Sequence, residues 1–214
     1  MPYLPPRSDL TTHTVTNQPS PRGDVDLWSD DPALIVHGAL SGVDEGHLAG
    51  YGLTLGTEEM RAAGREVNRQ PPELIRYDAG GRRMDEVRVH PSYNLFLQTG
   101  LVSGYAAMPW EGKAGGHATH AAMVYLASQV EPGHCCPMTM TYAAVPALKA
   151  APDLFATWVP KLTARIYDGR SRPLSSKTGA TLGMAMTEKQ GGSDVRANST
   201  RAEKTADGYR LYGH

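Results

Sequence analysis

The sequence predicts an α+β chain in which helices run to about residue 172 and β structure follows. Three observations carry this prediction. Apolar residues recur at helical spacing between Pro32 and Ile166, in segments bracketed by capping residues, glycines or prolines. From Gly179 the helical pattern stops, and the short run Gly183-Met184-Ala185-Met186-Thr187 opens into a polar loop with paired glycines, Glu188 to Asp194. Finally, Thr205-Ala206-Asp207-Gly208 separates two stretches of strand character, and Asp-Gly in that setting signals a β-hairpin.

Taken in order, residues 1–30 hold Pro2, Pro5, Pro6, Pro19 and Pro21 among many Ser and Thr, so an extended N-terminal arm is expected. Asp31-Pro32 starts a helix, with a capping carboxylate followed by a proline at the first helical position. A second helix is suggested by Val43, Leu48 and Tyr51 to Leu55, although Gly46, Gly50, Gly52 and Gly56 lower its propensity. Thr57 to Ala63 begins a third, with acids in its first turn. Asn68 to Pro72 is a break, and Arg76 to Arg88 is polar, with a turn at Asp78-Ala79-Gly80-Gly81. Ser92 to Ser103 reads as a helix stopped by Gly104. Met108 to Gly112 breaks the chain, Ala114 to Val130 is an Ala-rich helix, and another begins at Pro137. Leu154 to Ile166 reads as an amphipathic pair broken at Pro160. Tyr167 to Pro173 is a loop, and Ser175 to Gly179 leads into a strand that ends in the Gly183–Asp194 stretch. The expected divisions are residues 1–30, 31–178 and 179–214.

Composition narrows the function. The 214 residues are 40% hydrophobic and 20% charged, a globular profile with enough apolar side chain for a core. Lys and Arg number 21 against 22 Asp and Glu, a formal charge of −1, so nothing global draws the chain to DNA or an anionic membrane. No apolar run is long enough to span a bilayer, and the first residues lack the pattern of a signal peptide. The adjacent Cys135 and Cys136 make no disulfide scaffold. The cytoplasm is the expected compartment.

Several side-chain groups invite a chemical reading, each beside a structural one. Gly191 and Gly192 would let backbone N–H groups come close to a ligand, with Thr187 and Ser193 adding hydroxyls; the same pattern also suits an ordinary turn. His117 and His120 share a helix face but lack further ligands, so no metal site is expected. Cys135-Cys136 beside His134 reads as a buried thiol pair rather than a nucleophile. Arg61, Arg65, Arg69, Arg76, Arg82 and Arg83 are interleaved with acids and read as a salt-bridged face.

Met186-Thr187-Glu188 with Gly192-Ser193-Asp194 resembles the flavin-binding signature of the acyl-CoA dehydrogenase family, and the Lys189-Gln190-Gly191-Gly192 filling resembles its AidB-like branch. Further phrases resemble that branch. They are His13-Thr14-Val15-Thr16-Asn17-Gln18-Pro19, Pro71-Pro72-Glu73-Leu74, Val87-Arg88-Val89-His90-Pro91, and Cys136-Pro137 with Thr139-Met140-Thr141 and Ala143-Ala144. The resemblance implies an all-helical N-terminal acyl-CoA dehydrogenase domain followed by the first strands of a middle β-barrel. It also implies FAD as cofactor. Thr187 would contact the flavin ring, Met184, Ala185 and Met186 would lie along it, and Gly192 and Ser193 would approach the phosphate side. The family's catalytic base comes from a C-terminal helical bundle, so no catalytic residue is expected in these 214 residues, and Glu188 reads as structural. Acyl-CoA substrates, a homotetramer and a role in the response to DNA alkylation are implied for the full protein, with any DNA contact made through the C-terminal domain. An ordinary acyl-CoA dehydrogenase of fatty-acid or branched-chain metabolism is the alternative. The chain is expected to be the N-terminal portion of a longer protein, and by itself an inactive fragment.

Overall fold

The computed structural model describes Thr12 to His214. The first part of the expected arm, residues 1–11, lies outside the described residues. From Thr12 to Asp26 the chain has neither helix nor strand, and it is exposed as far as Asp24. Two compact units follow from the chain's own contacts, one ending at Leu182 and one comprising Gly183 to His214.

The first unit is built from seven helices and a hairpin among the described residues: α1 (Pro32–Ser41), α2 (Glu45–Leu55), α3 (Glu58–Arg69), β1 (Glu73–Tyr77), β2 (Arg83–Arg88), α4 (Pro91–Val102), α5 (Gly116–Ser128), α6 (Cys135–Leu148) and α7 (Pro152–Leu162). The helix starts obey local capping chemistry. Asp31 accepts from the Leu34 N–H at 2.9 Å, Asp44 from His47 at 3.0 Å, and Thr57 Oγ1 from Met60 at 3.2 Å. Each satisfies a backbone donor that a helix start leaves without a partner. The glycines that weaken α2 in isolation have a packing reason. A Cβ on Gly52 would stand 2.8 Å from the Trp28 backbone nitrogen, and one on Gly38 would stand 2.7 Å from the Trp28 indole. Trp28 is buried between these helices because both positions lack a side chain.

The Arg76–Arg88 segment departs from its expected form. Its turn is where the sequence places it, closed by Asp78 Oδ1 accepting from Gly80 and Arg82 N–H groups at 2.8 and 2.9 Å. Around that turn, however, β1 and β2 pair antiparallel, with Leu74 opposite Val87 and Ile75 opposite Glu86. The Leu154–Ile166 segment also differs. It holds one helix, α7, instead of a broken pair. Pro160 falls in its last turn, where the missing N–H removes only one bond and Thr163 still donates to the Val159 carbonyl at 2.9 Å.

The core lies between the helices. Leu48, Leu55, Phe96, Tyr105, Met123, Leu126 and Met138 are shut off from solvent. Helix α5 is central, packing against α1, α2, α6 and the 3-10 turn Met108–Trp110. Burial on this scale is worth about 1.5–3 kcal/mol for each large apolar side chain. Beyond α7, the loop at 167–178 is tied by the Asp168 carboxylate, which accepts from Arg170 Nε at 2.8 Å and from the Thr178 N–H at 3.0 Å. Lys177 Nζ donates to the carbonyls of Asp168 and Arg170 at 2.7 and 2.6 Å. The Arg170 guanidinium and these N–H donors hold the Asp168 carboxyl far below the usual carboxylate range.

The second unit contains the 3-10 turn Val195–Ala197 and the antiparallel hairpin β3 (Arg201–Thr205) and β4 (Gly208–Tyr212). Thr205 pairs with Gly208, so Ala206 and Asp207 form the connection that the Asp-Gly signal predicts. The strand expected before Thr187 does not form. A strand needs a ladder partner, and among the described residues none pairs with 180–187; the isolated bridge Glu188–Gly191 lies after it. The architecture is α+β, helix-rich with short antiparallel strands.

Candidate functional site

The Gly183–Asp194 stretch forms a loop folded back on itself. A Cβ built at Gly192 would stand 2.6 Å from Thr187 Oγ1, so the loop closes with Thr187 lying on bare backbone. Gly191, at φ +146°, permits the reversal between them. Asn198 Nδ2 donates to the Met186 carbonyl at 2.8 Å and anchors the entry to the loop. Gln190 to Asp194, with Ala197 and Asn198, line an open recess of about 370 Å³.

The six residues expected to face a cofactor therefore divide. Thr187 and Gly192 are in contact, and Gly192 and Ser193 line the recess. Met184, Ala185 and Met186 are exposed and lie outside its lining, with Met186 61% exposed.

Glu188 is the one buried side chain in this unit. Its carboxylate accepts from the N–H and hydroxyl of Ser199 at 2.8 and 3.2 Å, and from those of Thr200 at 2.9 and 2.5 Å. It also accepts from the Gln190 side-chain amide. Led by the Thr200 hydroxyl, these donors draw its carboxyl down to about 2. A carboxylate so stabilised is a poor proton acceptor. It fastens the loop to the start of β3.

The other candidate groups have structural partners. His117 Nδ1 bonds the Tyr142 hydroxyl at 2.8 Å, and His120 Nδ1 bonds the Tyr105 carbonyl at 2.7 Å. Among the described residues no group of three His, Cys, Asp or Glu side chains is placed to hold a metal. Burial pushes the Cys135 thiol up to about 11, away from thiolate chemistry, while Cys136 is exposed. The arginines are largely paired: Arg61 and Arg65 with Glu58, Arg82 with Asp78, and Arg83 with Asp85. Among the described residues no helix is long and apolar enough to cross a membrane.

One pair escaped the sequence reading. Glu131 and His134 are both buried, and His134 Nδ1 lies 2.9 Å from Glu131 Oε2. Glu131 also accepts from the backbone N–H groups of Gly133 and His134, both at 2.8 Å. The signal available was an acid three residues before a histidine across Pro-Gly, in an apolar setting.

Comparison with known proteins agrees with this architecture. The family described as adaptive response protein AidB N-terminal domain matches residues 17–169. The putative acyl-CoA dehydrogenase AidB of Escherichia coli is 46% identical over 95% of this chain, which spans 39% of that protein. Acyl-CoA dehydrogenase family member 11 of Caenorhabditis elegans is 29% identical over 74% of the chain, which spans 26% of that protein. The crystal structure of Caenorhabditis elegans ACDH-11 in complex with C11-CoA superposes with a TM-score of 0.71 at 27% identity, over 94% of this chain and 35% of that one. The apo form of Bd2924 superposes with a TM-score of 0.70 at 25% identity, over 89% and 40%. The chain belongs to the acyl-CoA dehydrogenase family, in its AidB-like branch.

Proposed function

We infer that this chain provides one wall of an FAD site in an acyl-CoA dehydrogenase-type oxidoreductase of the AidB kind. The contact of Thr187 with the bare backbone of Gly192 carries this reading. Any larger residue at 192 would fill the space beside the hydroxyl. That leaves a hydroxyl, a glycine backbone and the Ser193 side chain at the edge of an open recess, a donor set suited to flavin carbonyl and phosphate oxygens. The exposed, flexible thioethers of Met184 and Met186 suit a flat ring.

Bound FAD supplies the hydride-accepting chemistry that no side chain has. The residues of this chain bind and orient. Thr187 donates to the ring, Gly192 and Ser193 receive the phosphate side, and Met184, Ala185 and Met186 shield the ring from water. Glu188 holds the loop closed and moves no proton. No residue of this chain is assigned as the catalytic base.

On this reading the whole protein acts on an acyl-CoA, assembles as a homotetramer in the cytoplasm and serves the response to DNA alkylation, with DNA met through residues outside this chain. The match to the family described as adaptive response protein AidB N-terminal domain supports a role in an adaptive response. The C11-CoA bound by ACDH-11 supports the substrate class and also favours a second reading, an ordinary acyl-CoA dehydrogenase. The test is Thr187→Val in the full-length protein. FAD affinity should fall roughly threefold to tenfold, the cost of one hydrogen bond. Unchanged flavin content after gel filtration, together with an unchanged flavin reduction rate, would remove Thr187 from the site.

A further inference from the structure

The first unit holds a second concavity, remote in sequence from the Gly183–Asp194 loop. It measures about 470 Å³, and its walls include Val67, Pro72 and Val87, from the end of α3, the following break and β2. That is room for a small organic molecule. Two features give it a chemical preference. Glu131, in the lining, is a buried carboxylate, and the lining contains no lysine or arginine to balance it. The neighbour of Glu131 on the interior side is His134, whose imidazole burial holds in the neutral form despite the pull of the acid. The negative charge is therefore met by N–H dipoles alone, those of Gly133 and His134 and the His134 ring.

Tyr93 adds the second feature. It is half-buried in the same lining, and among the described residues its hydroxyl has no hydrogen-bond partner. Its acidity is suppressed by burial and then by the Glu131 charge, which places the two groups in one electrostatic environment. His90, also in the lining, accepts the Ser92 N–H on Nδ1 at 3.2 Å. A phenol face, a phenol oxygen and an uncompensated carboxylate among apolar walls attract a cation with an apolar body. The same set repels carboxylates and phosphates.

We propose that this concavity is a binding site for a small organic ammonium ion carrying an alkyl or aryl body. It is independent of the flavin reading. Isothermal titration of the chain with three ligands of one shape tests it: 4-phenylbutylammonium, 4-phenylbutan-1-ol and 4-phenylbutyrate. The ammonium should bind saturably, the alcohol at least about tenfold more weakly, and the butyrate more weakly still. Val87→Trp, at a position 61% exposed and thus tolerant of size, should abolish binding by filling the concavity. Glu131→Gln should bring the ammonium down to the affinity of the alcohol. Should that variant fail to fold, as judged by circular dichroism, the ligand series and Val87→Trp decide alone. Equal binding of the three ligands, no binding of the ammonium, or full binding by Val87→Trp would overturn the proposal.

Discussion

The two units of this chain are held together by opposite means. In the helical unit the groups shut off from solvent are large and mainly apolar, with Phe96, Tyr105, Leu48 and Met123 fully buried. In the unit from Gly183 onward the buried side chain is a carboxylate, and Tyr209 and Leu211 are 68% and 77% exposed. One region is ordered by removing apolar surface from water, a cooperative and non-directional force. The other is ordered by directional bonds converging on Glu188, with a two-stranded hairpin that is marginal without further packing. The loop proposed to face the cofactor thus sits on the region with the smaller intrinsic stability, as is common for binding loops.

The sharpest test of that contrast is to open the apolar core. Phe96→Ala should cost about 3–5 kcal/mol, read as a lower urea midpoint. A loss below about 1 kcal/mol would mean the helical unit is not organised as described. Next in size is overpacking at Trp28. Gly52→Ala places a methyl against main chain that cannot swing away, and should cost about 1–3 kcal/mol by thermal melting. An unchanged melting temperature would show that the Trp28 seat has slack.

A smaller effect comes from His134. Its folded value lies below the unfolded one near 6.5, so the unfolded chain binds more protons in that interval. Stability should be full above about pH 6.5 and fall as the pH drops toward the lowered folded value. His134→Gln should flatten that slope. The smallest global effect belongs to Glu188→Gln. The melting temperature of the helical unit should not move, while amide exchange at Ser199 and Thr200 should accelerate. In the native chain the Glu188 clasp contributes above about pH 4.5 and is lost as the pH falls through about 2. If Glu188→Gln lowered the helical melt instead, the separation between the two regimes would fail.

How much of this was legible in the sequence depended on whether the deciding interaction was local. The Asp31 cap, the Gly104 stop and the Ala206-Asp207 connection are settled within a few residues, and the sequence shows them. The β1–β2 pair is not settled locally. Apart from Leu74, Ile75 and Val87, its strands are mostly charged, so no apolar alternation announces them, and pairing across the Asp78 turn decides the matter. Pro160 misleads because its effect depends on how many helical residues follow it. The strand expected before Thr187 depends on a partner that local pattern cannot supply. In the candidate loop, Thr187 meets the bare backbone of Gly192, a contact between residues five apart that local pattern does not announce. The role of Glu188 as a clasp depends on Ser199 and Thr200, which the motif does not contain.

The tie at Asp168 has a practical consequence. Trypsin needs an extended stretch of substrate with its basic side chain free to enter the protease. Here the Arg170 guanidinium is gripped by Asp168, and the Lys177 ammonium is turned inward onto two carbonyls. Two basic side chains of this loop are thereby engaged by the loop itself and less available to the protease. Brief tryptic digestion should nick the chain at Lys204 or Arg210, both exposed in the second hairpin, while the strap from Tyr167 to Thr178 survives intact.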